Sequence, residues 1–429
     1  MSREQFVVST EDIWQSKWSD PATFDFYGFD TSIFVDDDEK VYVQGAWATG
    51  QKKQPHTLIY QLELELETGK ALSPARCIWD GHSKYDTEGP HIYKRDGWYY
   101  LIAAEGGTFE HHMLSISRSR DIWGPYESYE RNPILTADGC DTPIQGLGHG
   151  ELFEDADGEW WIVALGFRSQ DGVWPLGREP FLSKVNWPAG DWPIIQQPEM
   201  CFQASPVRET ATMPHHEPVS ELVHLRGRQD SNYRHSLVGE VELTHMRPSQ
   251  FKLSCLRGSP TFVGKRQKQL EGVARATLDI RDHAPTEEHV IAGLTVYLDP
   301  VRHVTIAYDF ATSTVNFKML VPEPGTSRET SYTIDRTHAT AIEFMVEATS
   351  TSYKLSFARI NDYKESTRSW QEAGSATIRE LFVRFFTGPI FGIFTETERS
   401  MDENSRPWVT FRNFQISSAE AAAVAKPRI

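Results

Sequence analysis

Residues 93–104 read YKRDGWYYLIAA, and the same pattern occurs twice more, as FVDDDEKVYVQGAW at 34–47 and FEDADGEWWIVAL at 153–165. Each copy is a polar, acidic turn followed by aromatic and aliphatic residues, which suit a pleated, half-buried strand. Gly97 and Gly158 supply the positive φ that a tight hairpin turn demands, and Glu39 holds the matching place in the first copy. Those three positions are 58 and 61 residues apart. Hairpins recurring at that period, with few helix-like stretches between them, predict blades of a β-propeller.

The copies end near residue 200. Residues 206–224 are polar and carry Pro214 and Pro218, so they read as a linker. Short alternating segments then return, among them FKLSCL (251–256), AGLTVYL (292–298), HVTIAYDF (303–310), ELFVRFF (380–386) and WVTFRNFQI (408–416). Period-two strands broken by turns predict a second all-β domain, most simply a two-sheet sandwich. The expected organisation is an all-β chain: a propeller domain over 1–205, the linker, a sandwich over 225–418 and a loose tail over 419–429.

The 429 residues carry a formal charge of −17. A surface that acidic repels nucleic acid and anionic membranes, so neither is expected as a partner. Aromatic residues make up 12%, with 13 Trp. Most belong to strands and core; a sugar ring stacked on indoles is the functional use such a composition also suits. Cys77, Cys140, Cys201 and Cys255 are far apart, with no CxxC pair, which argues against a zinc site. No apolar run reaches membrane length and the first residues form no hydrophobic leader, so the chain as written reads as cytoplasmic. Secretion becomes the expectation if the natural chain starts upstream of Met1.

Three polar residues, Asp30, Glu88 and His149, each stand a few residues before the opening strand of a copy. Their intervals are again 58 and 61 residues. The innermost strands of propeller blades line one axis, so equivalent positions in successive blades converge. Two convergent carboxylates suit glycoside hydrolysis, where one protonates the leaving oxygen. The charge of Asp30 would raise the pKa of Glu88 by like-charge repulsion. Singly, each carboxylate reads as an ordinary turn residue; the common phase is what sets them apart. His149 alone suits a structural histidine equally well, and Asp36, Asp37 and Asp38 read as solvated turn residues.

In order, GFDTSIFVDDDEKVYV, TEGPHIYKRDGWYYLIAAEGG, SRSRDIWGPYE, NPILT, GLGHGELFEDADGEWWIVALGFR and LGREPFL resemble glycoside hydrolase family 43 of the β-xylosidase and α-L-arabinofuranosidase type. SPTFVGKRQ, AGLTVYLD and FFTGPIFGIF resemble the concanavalin-like sandwich that follows the propeller in that subgroup. The resemblance implies Glu88 as general acid, Asp30 as its pKa modulator and Arg178 as a sugar contact. It implies His149 near the propeller axis and Phe386 at the pocket rim as further substrate contacts. No cofactor is required; a hydrated ion such as Ca2+ near His149 is what relatives allow. The implied partner is a xylo- or arabino-oligosaccharide, cleaved with inversion in a single displacement.

One part of the family pattern is missing. The general base of relatives lies in an NPDPS-like opening segment, and the 29 residues before Asp30 contain none. The ring of relatives has five blades, whereas three copies and a remnant are legible. The sequence therefore predicts an N-terminally incomplete propeller without its base, with exposed strand edges that favour a homo-oligomer. The alternative expectation is an inactive carbohydrate-binding remnant.

Overall fold

The computed structural model describes residues 4–13, 17–169, 172–202, 222–281, 289–361, 363, 368–381, 385–398 and 406–418. Two compact units emerge: Met1–Ser169 with Arg178–Glu217, and Gln170–Gly177 with Pro218–Ile429. Of the expected linker at 206–224, residues 206–221 lie outside the described residues, as does the tail at 419–429.

Among the described residues the first unit holds three successive antiparallel meanders, in sheets of five, five and four strands, and a small two-stranded sheet, Gln5–Val7 with Ala22–Phe24. The meanders open with Gly28–Val35, Thr87–Arg95 and Ile144–Glu154. Each opening strand pairs with the aromatic strand of its repeat: Val41–Ala48, Trp98–Glu105 and Trp160–Arg168. The hairpins close at the turns read from sequence. In the second, Asp96 (φ 50°) and Gly97 (φ 74°) are both left-handed, as a two-residue turn needs, and Arg95 faces Trp98. In the first and third, Glu39 and Gly158 take the left-handed place after a wider turn.

Aromatic residues and one carboxylate join neighbouring meanders. Tyr93, Tyr100, Trp160, Trp187 and Trp192 meet in one cluster between the second and third, with the Arg95 guanidinium over Trp160 and Trp187. The Tyr93 hydroxyl accepts from the Leu152 amide at 2.8 Å. Between the first and second, Asp36 departs from its expectation. Its side chain is only 8% exposed and accepts from Tyr99 Oη at 2.7 Å and Lys94 Nζ at 2.5 Å. It is a clamp between blades, not solvated charge.

The second unit stacks a seven-stranded sheet on a six-stranded one, both antiparallel. Alternate residues of both fill a core that includes Phe344, Phe357, Phe391 and Phe411. Two expected strands are not strands. FKLSCL is an irregular segment whose Leu253 is buried. In ELFVRFF, Glu380 and Leu381 end a four-residue helix, and 382–384 lie outside the described residues. Among the described residues no helix is long and apolar enough to cross a membrane, and the four cysteines are free thiols.

Candidate active site

Each opening strand is broken by a β-bulge, and at each bulge one residue takes a left-handed backbone: Asp30 (φ 51°), Gly89 (φ 56°) and His149 (φ 43°). A bulge bends its strand and re-aims side chains, and such bulges gather next to functional sites. Left-handed Asp and His are uncommon and mark positions the surrounding structure holds in place. The three candidates therefore lie inside their opening strands, not before them. The left-handed places are 59 and 60 residues apart. Glu88 thus stands one residue before the place that Asp30 and His149 fill, and Gly89 occupies that place in its own strand.

Gly89 has a steric reason. A Cβ built on it would come within 2.6 Å of His149 Nε2. The imidazole of the third meander therefore lies against the backbone next to the acid of the second. The first meander reaches the same spot: Ser32 Oγ donates to the Pro90 carbonyl, and Gln44 Nε2 donates to Ser32 Oγ at 2.7 Å. Both bulges are thereby fixed against each other at a backbone carbonyl two residues from Glu88.

Glu88 is pushed up to about 6 from an ordinary 4.5. Burial is the largest cause, followed by the charges of Asp30 and then Asp86, while Arg178 pulls the other way. Like-charge repulsion is thus the lesser contribution, because a partly dehydrated carboxylate is disfavoured even without a neighbour. Asp86 is otherwise engaged: its oxygens take Gln54 Nε2 at 3.0 Å and the His56 amide at 2.5 Å. The loop before Glu88 is held by buried Glu105, which accepts from the His82 and Ser83 amides at 2.6 Å each.

Two further histidines belong to the group, and sequence reasoning passed over both. His91, on the same strand, is held below its usual range by burial and by His149, against the pull of Glu151. Its Nδ1 lies 3.8 Å from Glu151 Oε1. His112 is 2% exposed, its Nδ1 is 2.9 Å from the Gly146 carbonyl, and burial brings it down to about 4. Its ring fills the space where a Cβ on Gly148 would sit, so it fixes the backbone beside His149. The HIY of the strand reading and the alternating Gly-Leu-Gly-His-Gly were the signals available.

Asp30, Glu88, His149 and Arg178 are brought together in the first unit. Arg178 opens its strand on the exposed side, and the adjacent Glu179 is locked by Arg168 through two bonds of 2.8 Å. Phe386 belongs to the second unit and is 47% exposed. Among the described residues no three His, Cys, Asp or Glu side chains converge to hold a metal ion.

Residues 1–193 match the sequence profile "Glycosyl hydrolases family 43", and residues 234–417 match "Beta xylosidase C-terminal Concanavalin A-like domain". A xylosidase/arabinosidase of Butyrivibrio fibrisolvens is 31% identical over 325 residues, which are 70% of this chain and 61% of that protein. A non-reducing end alpha-L-arabinofuranosidase of Bacteroides ovatus is 31% identical over 67% of this chain and 54% of its own length. The chain thus spans less than two thirds of either. The crystal structure of a xylan beta-1,4-xylosidase from Bacillus halodurans shares the fold, with a TM-score of 0.78 at 24% identity over 97% of this chain and 81% of that one.

Proposed function

Because the chain belongs to glycosyl hydrolase family 43, of the xylosidase and arabinosidase type with a concanavalin-like sandwich, we propose that it cleaves xylose- or arabinose-containing oligosaccharides. The observation that carries this is a half-buried carboxyl, Glu88, held near 6 beside Asp30 and Arg178 on a bulged inner strand. At mildly acidic pH that carboxyl keeps a proton it can give to the glycosidic oxygen as the bond breaks. Asp30 stays as the charge that resists loss of the proton. Arg178 offers donors to sugar hydroxyls. The displacement is single and inverting.

Of the carboxylates that raise Glu88, Asp86 is engaged by Gln54 and His56, and Asp30 serves as the modulator. The reading therefore assigns no general base within these residues. That gap favours a second reading, a sugar-binding protein that does not turn its ligand over. Hydrolysis of xylobiose and of arabinose-decorated xylotriose separates the two. Turnover that Glu88→Gln abolishes supports the hydrolase. Calorimetric binding of xylobiose without turnover supports the binder. Equal inertness of both chains with no binding sinks both.

A further inference from the structure

One face of the six-stranded sheet fills the sandwich core; the opposite face is covered over only part of its area. There Leu225 and Leu253 pack on Phe262, Ala307 and Phe394 in a small separate core. Beside that cover lies a cleft of about 440 Å³. Its floor is low because register places Gly293 between Ala307 and Phe394, and a Cβ on Gly293 would come 2.1 Å from the Ile306 carbonyl. The next cross-strand positions carry polar groups on the same face, since alternate residues of a strand point the same way. Asn316 stands opposite Ala307, and Lys318 opposite Thr305.

Two further groups complete the lining. His303 is 6% exposed, and its Nδ1 lies 3.3 Å from the Asp299 carbonyl, which can only accept. Its Nε2 is then the acceptor of a neutral ring, steadied by stacking on Tyr297 at 5.8 Å and 25°. Glu396 accepts the Leu253 amide through Oε2 at 3.2 Å, which leaves Oε1 for a ligand. The Asn316 amide and the Lys318 ammonium make no hydrogen bond among the described residues.

We propose that this cleft is a second, non-catalytic saccharide site that takes one or two rings of a neutral sugar. Acceptors at His303 and Glu396 and donors at Lys318 and Asn316 face each other across a small apolar floor. A sugar hydroxyl donates and accepts at once, so a hydroxylated ring satisfies both sets while its C–H face rests on Ala307 and Phe394. The volume lies in the range of small-ligand pockets. Carboxylates outnumber cations in the lining, which disfavours anions, and no three of them converge on a metal ion among the described residues.

The test is calorimetric titration of the full chain carrying Glu88→Gln, with xylobiose, cellobiose and maltose as probes. For at least one probe we expect a binding component that Lys318→Ala and Asn316→Ala each weaken about tenfold or more, as loss of a charged or bidentate hydrogen bond does. Arg178→Ala leaves that component unchanged, which keeps it distinct from any binding beside Glu88. Lys318 is exposed, so its variant folds; equal melting temperatures verify this. The proposal is overturned if no probe gives a component sensitive to Lys318→Ala, or if Arg178→Ala removes the same component.

Discussion

Glu88 is a carboxyl kept near 6 chiefly by lost hydration, and two expectations follow from that cause. As a general acid it must be protonated, so kcat/KM falls as pH rises through about 6 in the free protein. Asp30→Asn removes the second contribution but not the first. The descending limb then moves to lower pH yet stays above the 4.5 of an ordinary glutamate, which a pH–rate profile of the variant checks. Glu88→Gln lowers xylobiose hydrolysis by about 10²–10⁴-fold. It affects 2,4-dinitrophenyl xyloside far less, because that leaving group departs without a proton; an equal loss on both substrates would refute the acid role. The same residue also carries a stability signature. A folded pKa above the unfolded one means that stability is lost as pH rises from about 4.5 to 6. Glu88→Gln therefore stabilises the chain at pH 7 by about 1 kcal/mol once solvent screening is discounted. Thermal melts at pH 4 and pH 7 read this directly: the gain appears only at the higher pH. Glu88 itself stood out in the sequence through its phase. The dominance of burial did not, because that depends on how three distant strands close around one side chain.

The bulged inner strand is the element on which the site depends. Gly89 is required there twice, by a φ of 56° and by the His149 ring at 2.6 Å from where a Cβ would be. Gly89→Ala combines a left-handed penalty of roughly 1–2 kcal/mol with a displaced imidazole. We expect a loss of at least ~2 kcal/mol in urea unfolding together with loss of turnover or binding. Ser32→Ala, which only cuts the stitch to the Pro90 carbonyl, costs about 1 kcal/mol and leaves the backbone at 89 in place. Similar losses for the two variants would show that Gly89 has no special role. The element scale also shows why sequence phase located the site only to within a residue. The Asp-Gly turn at 96–97 is a local event and reads off two letters. A bulge is a mismatch between two strands, so neither strand reveals it alone, and Glu88 could be placed level with Asp30 and His149 when Gly89 holds that position. His303, Glu396 and Lys318 were illegible for the same reason: each looks like an ordinary outward strand residue until register sets four strands side by side.

At the scale of the whole molecule, period-two strands and turns were enough to separate a repeated blade region from a later sandwich. They did not show that the chain leaves the first unit and returns to it. Residues 170–177 belong to the second unit, although Ser169 and Arg178 on either side belong to the first. Val173 is a member of the sandwich core, Gly177 bridges to Thr387, and a Cβ on Gly388 would come 2.4 Å from the Leu176 carbonyl. Val173, Trp174 and Leu176 are 7%, 8% and 5% exposed. Each buried side chain of that size gains roughly 1.5–3 kcal/mol from burial. A chain ending at residue 202 loses the sandwich strands that cover Val173 and leaves a contiguous apolar loop in water, where such patches drive association. Expressed alone, residues 1–202 should therefore recover mostly as aggregate. Adding residues 222–429 as a separate chain, or placing Val173→Ser and Leu176→Ser in the short one, should raise its soluble yield in size-exclusion chromatography. Equal, monomeric yields for the short chain with and without those changes would mean that residues 172–177 contribute nothing to burial. In that case the detour would be a matter of chain path alone.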